Sequence, residues 1–143
     1  MASTENPTRM RTNADITIYN KYVALHTDAW QRSVVYGVFW ESTKASNVRA
    51  TGGETYANQA TVYLPFSNGS KYLAPTAWMS AKTGKFTLKP GDVIVKGVVT
   101  DEISGSFTMT DLRAKYDNVL TIASVDTKDF GTYAMQHWQI GAR

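Results

Sequence analysis

Apolar and polar residues alternate along much of this chain with a period of two, the pattern of strands that present one face to a core. Ile16 and Ile18 share a face over residues 15–20, the first predicted strand. Residues 33–41 put Val34, Tyr36, Val38 and Trp40 on one side and Val35 and Phe39 on the other, which predicts a strand covered on both faces. The stretch between them, 21–32, contains Trp30 but has no readable period. From 42 to 59 the hydrophobic pattern lapses around Gly52-Gly53, which predicts a long inserted loop. Long loops in compact domains commonly carry function.

Alternation resumes over 60–66 with Val62, Leu64 and Phe66 together. Pro65 offers no N–H, so this strand lies at an edge or ends there. Residues 67–70 read as a turn, and 71–85 as mixed chain anchored in the core by Tyr72, Leu73 and Trp78. Phe86 and Leu88 alternate with Thr87, and Pro90-Gly91 suits the centre of a type II turn, proline presetting φ and glycine accepting positive φ. A strand over 93–99 is interrupted by Gly97, and Ile103, Gly105, Phe107 and Met109 alternate with Ser104, Ser106 and Thr108 as a half-exposed strand. Thr110 is the expected N-cap of a short helix over 111–116, with Asp111 and Lys115 placed to suit its dipole. An apolar strand over 119–125 runs on toward Phe130, and Gly131 turns the chain into a last strand with Trp138 and Ile140 facing one way and His137 and Gln139 the other. Seven or eight short strands, one small helix and no βαβ rhythm predict an all-β fold, a small antiparallel β-barrel or sandwich. A polar arm, 1–14, precedes one domain, 15–143.

Composition narrows the function classes. The chain has 143 residues, enough for one domain with a sizeable core, and no cysteine, so disulfides and thiolate metal sites are excluded. No apolar run approaches the ~20 residues of a membrane-spanning helix, and the N-terminal segment lacks the apolar core of a signal peptide. The expectation is synthesis in the cytoplasm, with Asn68-Gly-Ser70 acting as a turn rather than a glycan acceptor. The net charge of +3 is unevenly spread: residues 44–96 carry about +5 and 97–143 about −2. That asymmetry suits a solvated face, complementary contacts between copies, or a basic rim toward a polyanion.

Candidate chemistry is sparse. His26 and His137 are the only histidines, and no HExxH spacing occurs. Asp101-Glu102 are adjacent in a turn, and with Asp126 and Asp129 they lack the facing arrangement of a carboxylate pair across a substrate cleft. Lys82-Thr83-Gly84 matches one element of penicillin-binding serine hydrolases, but the Ser-x-x-Lys nucleophile box is absent. No glycine-rich phosphate cradle is present. The expectation is a protein with no catalytic residues, no cofactor, no metal and no small-molecule substrate. Tyr63, Tyr72, Trp78 and Phe86 lie among the lysines of the basic segment; exposed, they would form a stacking platform for single-stranded nucleic acid, and buried they are core.

Several segments carry a resemblance: Asp15-Ile-Thr-Ile-Tyr-Asn-Lys-Tyr22, Tyr36-Gly-Val-Phe-Trp40, Thr61-Val-Tyr-Leu-Pro-Phe66, Phe86-Thr-Leu-Lys-Pro-Gly-Asp92, Tyr116 to Asp126, and Met135-Gln-His-Trp138 with Gly141. In this order they resemble the small minor capsid or head–tail connector proteins of tailed phages and prophages of Gram-positive bacteria. Within that group the all-β pattern is similar to the head-closure, or stopper, class. The resemblance implies a β-barrel with a loop reaching the channel, in a homo-oligomeric ring at the head–tail interface of the virion. Its partners would be the portal-side adaptor above and the tail terminator or tail tube below, with contact to packaged double-stranded DNA. Thr51, Gly52, Gly53 and Glu54 are then the candidate channel loop, and Lys82, Lys85, Lys89, Asp126, Asp129, His137 and Gln139 the candidate subunit interface. The alternatives are a tail terminator or other tail-end ring protein, and, from a different class, an OB-like nucleic-acid-binding module.

Overall fold

The computed structural model describes the backbone of residues 11–48 and 54–143 and the side chains of 11–42 and 59–143. Six antiparallel strands close into a barrel: β1 (Ala14–Ala24), β2 (Thr27–Val48), β3 (Glu54–Pro65), β4 (Val93–Lys96), β5 (Val119–Lys128) and β6 (His137–Ala142). Around the ring the order is β1-β2-β3-β6-β5-β4, with β4 returning to pair β1. Closure removes the sheet edges that an open sheet would expose. Two short helices, α1 (Pro75–Ser80) and α2 (Met109–Lys115), and 3-10 turns at Phe66–Asn68 and Tyr133–Met135 sit in the connections.

The barrel interior is filled by Ile16 and Ile18 from β1, Val35, Val38 and Trp40 from β2, Val62 and Leu64 from β3, Ile94 from β4, Leu120 and Ile122 from β5, and Trp138 and Ile140 from β6. The opposite faces of β1, β4 and β5 are buried too. Tyr19, Val93, Val95 and Val119 pack against Val99, Leu112, Ile103, Phe107 and Met109 of the β4–β5 connection. That covering layer explains why residues 16–19 and 93–95 are continuously buried rather than alternating. Thr17, fully buried within β1, satisfies its hydroxyl by donating to the Gly97 carbonyl at 2.8 Å and accepting from the Val99 N–H at 2.8 Å.

Several elements differ from the sequence reading. The patternless segment 21–32 completes β1 and begins β2, joined by a two-residue loop in which Leu25 (φ 50°) and His26 (φ 65°) are both left-handed. In β2 the alternation breaks at Gly37, where the register to β1 slips by one residue and φ is +87°. This bulge turns Val35 and Val38 both inward and leaves Tyr36 65% exposed, against the shared face expected for Val34, Tyr36 and Val38. Phe86 makes only an isolated bridge with Tyr72, and the strand predicted over 93–99 stops at Lys96 because Gly97 takes a positive φ. Residues 103–108 are a looped cover, not a strand. The helix N-cap is Thr108 rather than Thr110: its hydroxyl accepts from the Asp111 N–H while the Asp111 carboxylate accepts from the Thr108 N–H, a reciprocal capping box. Strand β5 ends at Lys128, two residues short of Phe130. The Pro90-Gly91 turn is present, with Gly91 at φ +95° and the Asp92 N–H donating back to the Lys89 carbonyl. Strand β3 ends at Pro65, as the missing N–H requires.

Candidate interaction surfaces

Strands β1, β3 and β5 run one way around the barrel and β2, β4 and β6 the other. One end therefore carries the β1–β2 loop, the chain from 66 to 92 with α1, and the β5–β6 connection. The other end carries the β2–β3 connection, the α2 connection and residue 143.

At this second end β2 and β3 outrun the barrel. The last pair between β3 and β6 is Ala60 with Ala142, yet β2 and β3 stay paired from Thr43–Gln59 through Val48–Glu54. The polar stretch that reads as a loop is thus, for its described residues, the backbone of a two-stranded ribbon projecting from the barrel. Continuing an established antiparallel register satisfies backbone groups without any buried face, so the ribbon needs no hydrophobic alternation. Of the four candidate channel residues, Thr51, Gly52 and Gly53 lie outside the described residues, and Glu54 begins β3.

The candidate interface residues separate into two groups. Lys82, Lys85 and Lys89 gather beside the β1–β2 hairpin. The Gln31 side chain donates to the carbonyls of Lys82 (2.6 Å) and Lys85 (2.8 Å), and Lys89 Nζ donates to the Lys21 carbonyl at 2.7 Å. Asp126, His137 and Gln139 lie on β5 and β6, paired as Asp126–Gln139 and Lys128–His137, with Asp129 just beyond. In the ring order β1/β2 and β6/β5 are separated by β3 on one side and β4 on the other, so the two groups occupy opposite walls. Among the described residues neither Lys82 and Lys85 nor Asp126 and Asp129 form an ion pair.

Two polar clusters were not legible in the sequence. Asp92 is fully buried; its carboxylate accepts from Asn20 Nδ2 (2.7 Å) and the Lys21 N–H (2.9 Å) and pairs with Lys89. Asn20, also buried, donates to the Thr87 carbonyl at 2.8 Å and accepts from the Thr87 N–H at 3.2 Å. These bonds tie the β1–β2 hairpin to the chain entering β4. Near the α2 connection, the Tyr116 hydroxyl (2.6 Å) and Lys115 Nζ (3.0 Å) donate to Asp101 Oδ2 and hold that carboxyl below the usual range. The same bond to Asp101 raises Tyr116 and Lys115. The Tyr19 hydroxyl donates to the Asp101 carbonyl at 2.6 Å, and burial pushes that phenol strongly up. Both arrangements pin loops to strands. No group of three or more His, Asp or Glu side chains is placed to hold a metal among the described residues.

The rings of the basic segment do not form a stacking surface. Trp78 and Phe86 are core, and Tyr72 lies half-buried with its ring 4.2 Å from that of Trp138. Lys82 and Lys89 lie over Trp78 instead, at 5.6 and 5.5 Å from its centroid. Tyr63 stands apart on the outer face of β3, between Phe39 (6.0 Å) and His137 (5.6 Å).

The exposed apolar residues were also missed by pattern reading, because period two registers only those that repeat. Val23 (66%), Leu25 (95%) and Met79 (48%) lie at the β1–β2 end, and Phe130 (72%), Tyr133 (62%) and Met135 (48%) in the β5–β6 connection. No curated protein and no solved structure matches the chain. Over residues 11–143, a span covering every barrel strand, it matches the model of a family of unknown function, DUF6751, and the chain belongs to that family.

Proposed function

We propose that this chain is a structural subunit of a tailed-phage neck: a head-closure, stopper-like ring protein that retains packaged DNA and docks the tail. The observation that carries this reading is the β2–β3 ribbon, a two-stranded projection of polar sequence whose backbone pairing runs past the last β3–β6 pair at one end of the barrel. A ring of such barrels, each presenting a ribbon to a common axis, would narrow a channel with polar side chains and backbone, a surface suited to hydrated DNA. The placement of Lys82 and Lys85 on one wall and of Asp126 and Asp129 on the opposite one, none of them in an ion pair among the described residues, supports side-by-side assembly of identical copies. The role is mechanical, with no substrate turned over. The burial of Trp78 and Phe86 weighs against the OB-like alternative, which requires accessible rings in the basic segment.

Imaging of virions that lack this protein tests the class: DNA-emptied heads separate from finished tails are expected, and normal tailed particles would overturn it. The ribbon is tested by shortening both of its strands together, since they are paired. Replacing residues 46–56 with Asn-Gly closes the ribbon at the Ala45–Ala57 pair and should leave the barrel folded while the heads lose DNA. Heads that keep their DNA would remove the ribbon from the channel.

A further inference from the structure

Six of the eight large apolar side chains exposed among the described residues fall into the two patches at the same end of the barrel: Val23, Leu25 and Met79, and Phe130, Tyr133 and Met135. Their surroundings differ in sign. Beside the first stand Lys82, its ammonium 2.8 Å from the Met79 carbonyl, and Lys21, which pairs with Asp28 at 3.4 Å; beside the second stand Asp126 and Asp129 with Lys128 between them, so each patch keeps one charge in excess, positive at the first and negative at the second. They differ in shape as well. Val23 and Met79 line an open groove of about 410 Å³ with Tyr22 and Pro90, whereas Phe130 stands on an exposed connection as a projecting ring. Because β1/β2 and β5/β6 are opposite walls, a single copy cannot bring groove and ring together.

We infer that copies of this chain bind one another head to tail, Phe130 of one copy entering the Tyr22–Val23–Met79 groove of the next while Asp129 meets Lys82. A second copy fits better than an unrelated partner because this chain supplies both halves of the match, an apolar groove beside Lys82 and an apolar knob beside Asp129. An interface between two different patches is heterologous, so it repeats around a ring or along a filament rather than stopping at a dimer. Both patches lie at one end of the barrel, which keeps successive copies level and favours a ring. The inference names the subunit contact of the proposed neck ring and rests on that reading only for the biological setting.

The chain has no cysteine, so single cysteines report the contact cleanly. Full-length Ser80→Cys and Thr132→Cys proteins, which place thiols on exposed positions beside the groove and the ring while leaving both intact, mixed at high concentration with a short bismaleimide, should give predominantly the mixed crosslinked dimer. Lys82→Glu in the first or Asp129→Lys in the second should lower its yield up to about fivefold, the scale of an exposed ion pair, and the two together should restore it. Crosslinks chiefly between like variants, no crosslink, or a failure of the charge swap to rescue would overturn the contact. A normal virion in the absence of the protein would instead strike the neck reading and leave a positive crosslink standing.

Discussion

Replacing Asp92 with alanine removes the acceptor around which one side of the molecule is organised. Three donors converge on a carboxylate with no solvent exposure: Asn20 Nδ2, the Lys21 N–H and the Lys89 ammonium, whose side chain is 24% exposed. Hydrogen bonds to charged groups contribute about 1.5–3 kcal/mol each, and removing one partner of a buried ion pair costs about 3–5 kcal/mol. Two features soften the loss. Lys89 can turn toward water and keeps its bond to the Lys21 carbonyl, and Asn20 keeps the Thr87 carbonyl. The expected cost is therefore near the lower end, about 3 kcal/mol, a large share of a typical total of about 5–15 kcal/mol. For a chain of this size it corresponds to a fall of roughly 10 °C in Tm. Urea unfolding followed by tryptophan fluorescence measures it, with an unchanged slope showing that the same surface is exposed on unfolding. Lys89→Met combined with Asp92→Ala should cost less than the sum of the two single replacements, because part of what the lysine contributes passes through the carboxylate. An alanine variant within about 1 kcal/mol of the parent would refute the claim that this buried cluster fastens the hairpin to the barrel.

Other outcomes follow from the same structure. Gly37→Ala should destabilise by about 1–3 kcal/mol in urea titration, since φ is +87° there and an added Cβ would lie 2.6 Å from Asn68 Nδ2. The Asp101 carboxyl is held low in the fold, so its contribution is full above the ordinary carboxylate pKa and fades as pH falls through the lowered value. Asp101→Asn should flatten the acid limb of stability against pH, and an unchanged limb would show that the bonds from Tyr116 and Lys115 do not persist in solution. Burial raises Tyr19, so its stabilising effect is present below the ordinary phenol pKa and disappears only when strong alkali ionises it; ultraviolet titration should show that tyrosine ionising together with unfolding. Leu25→Asn with His26→Gly suits a loop with two positive φ angles and should raise stability by about 1 kcal/mol while reducing self-association in sedimentation velocity. Raised stability with unchanged association would argue that the loop serves folding alone.

The sequence by itself determined the class of fold, through local rules. Period-two alternation marked β1, the middle of β2, β3, β5 and β6, Pro90-Gly91 marked the turn before β4, and Pro65 marked the end of β3. What only the tertiary structure decided is non-local. The bulge at Gly37 reverses which residues of β2 face inward, and it depends on the Asp15 carboxylate accepting from the Gly37 N–H across the sheet. The layer over β4 buries residues that alternation would send to solvent, and residues 103–108 supply that layer in place of a predicted strand. The ribbon of β2 and β3 has no hydrophobic signature because its register is inherited from the barrel beneath it. Most of all, β6 enters between β3 and β5, and that long-range pairing sends Lys82 and Lys85 to one wall and Asp126 and Asp129 to the opposite one. Charge content is written in the chain; which charges can meet those of another copy is fixed only when the barrel closes.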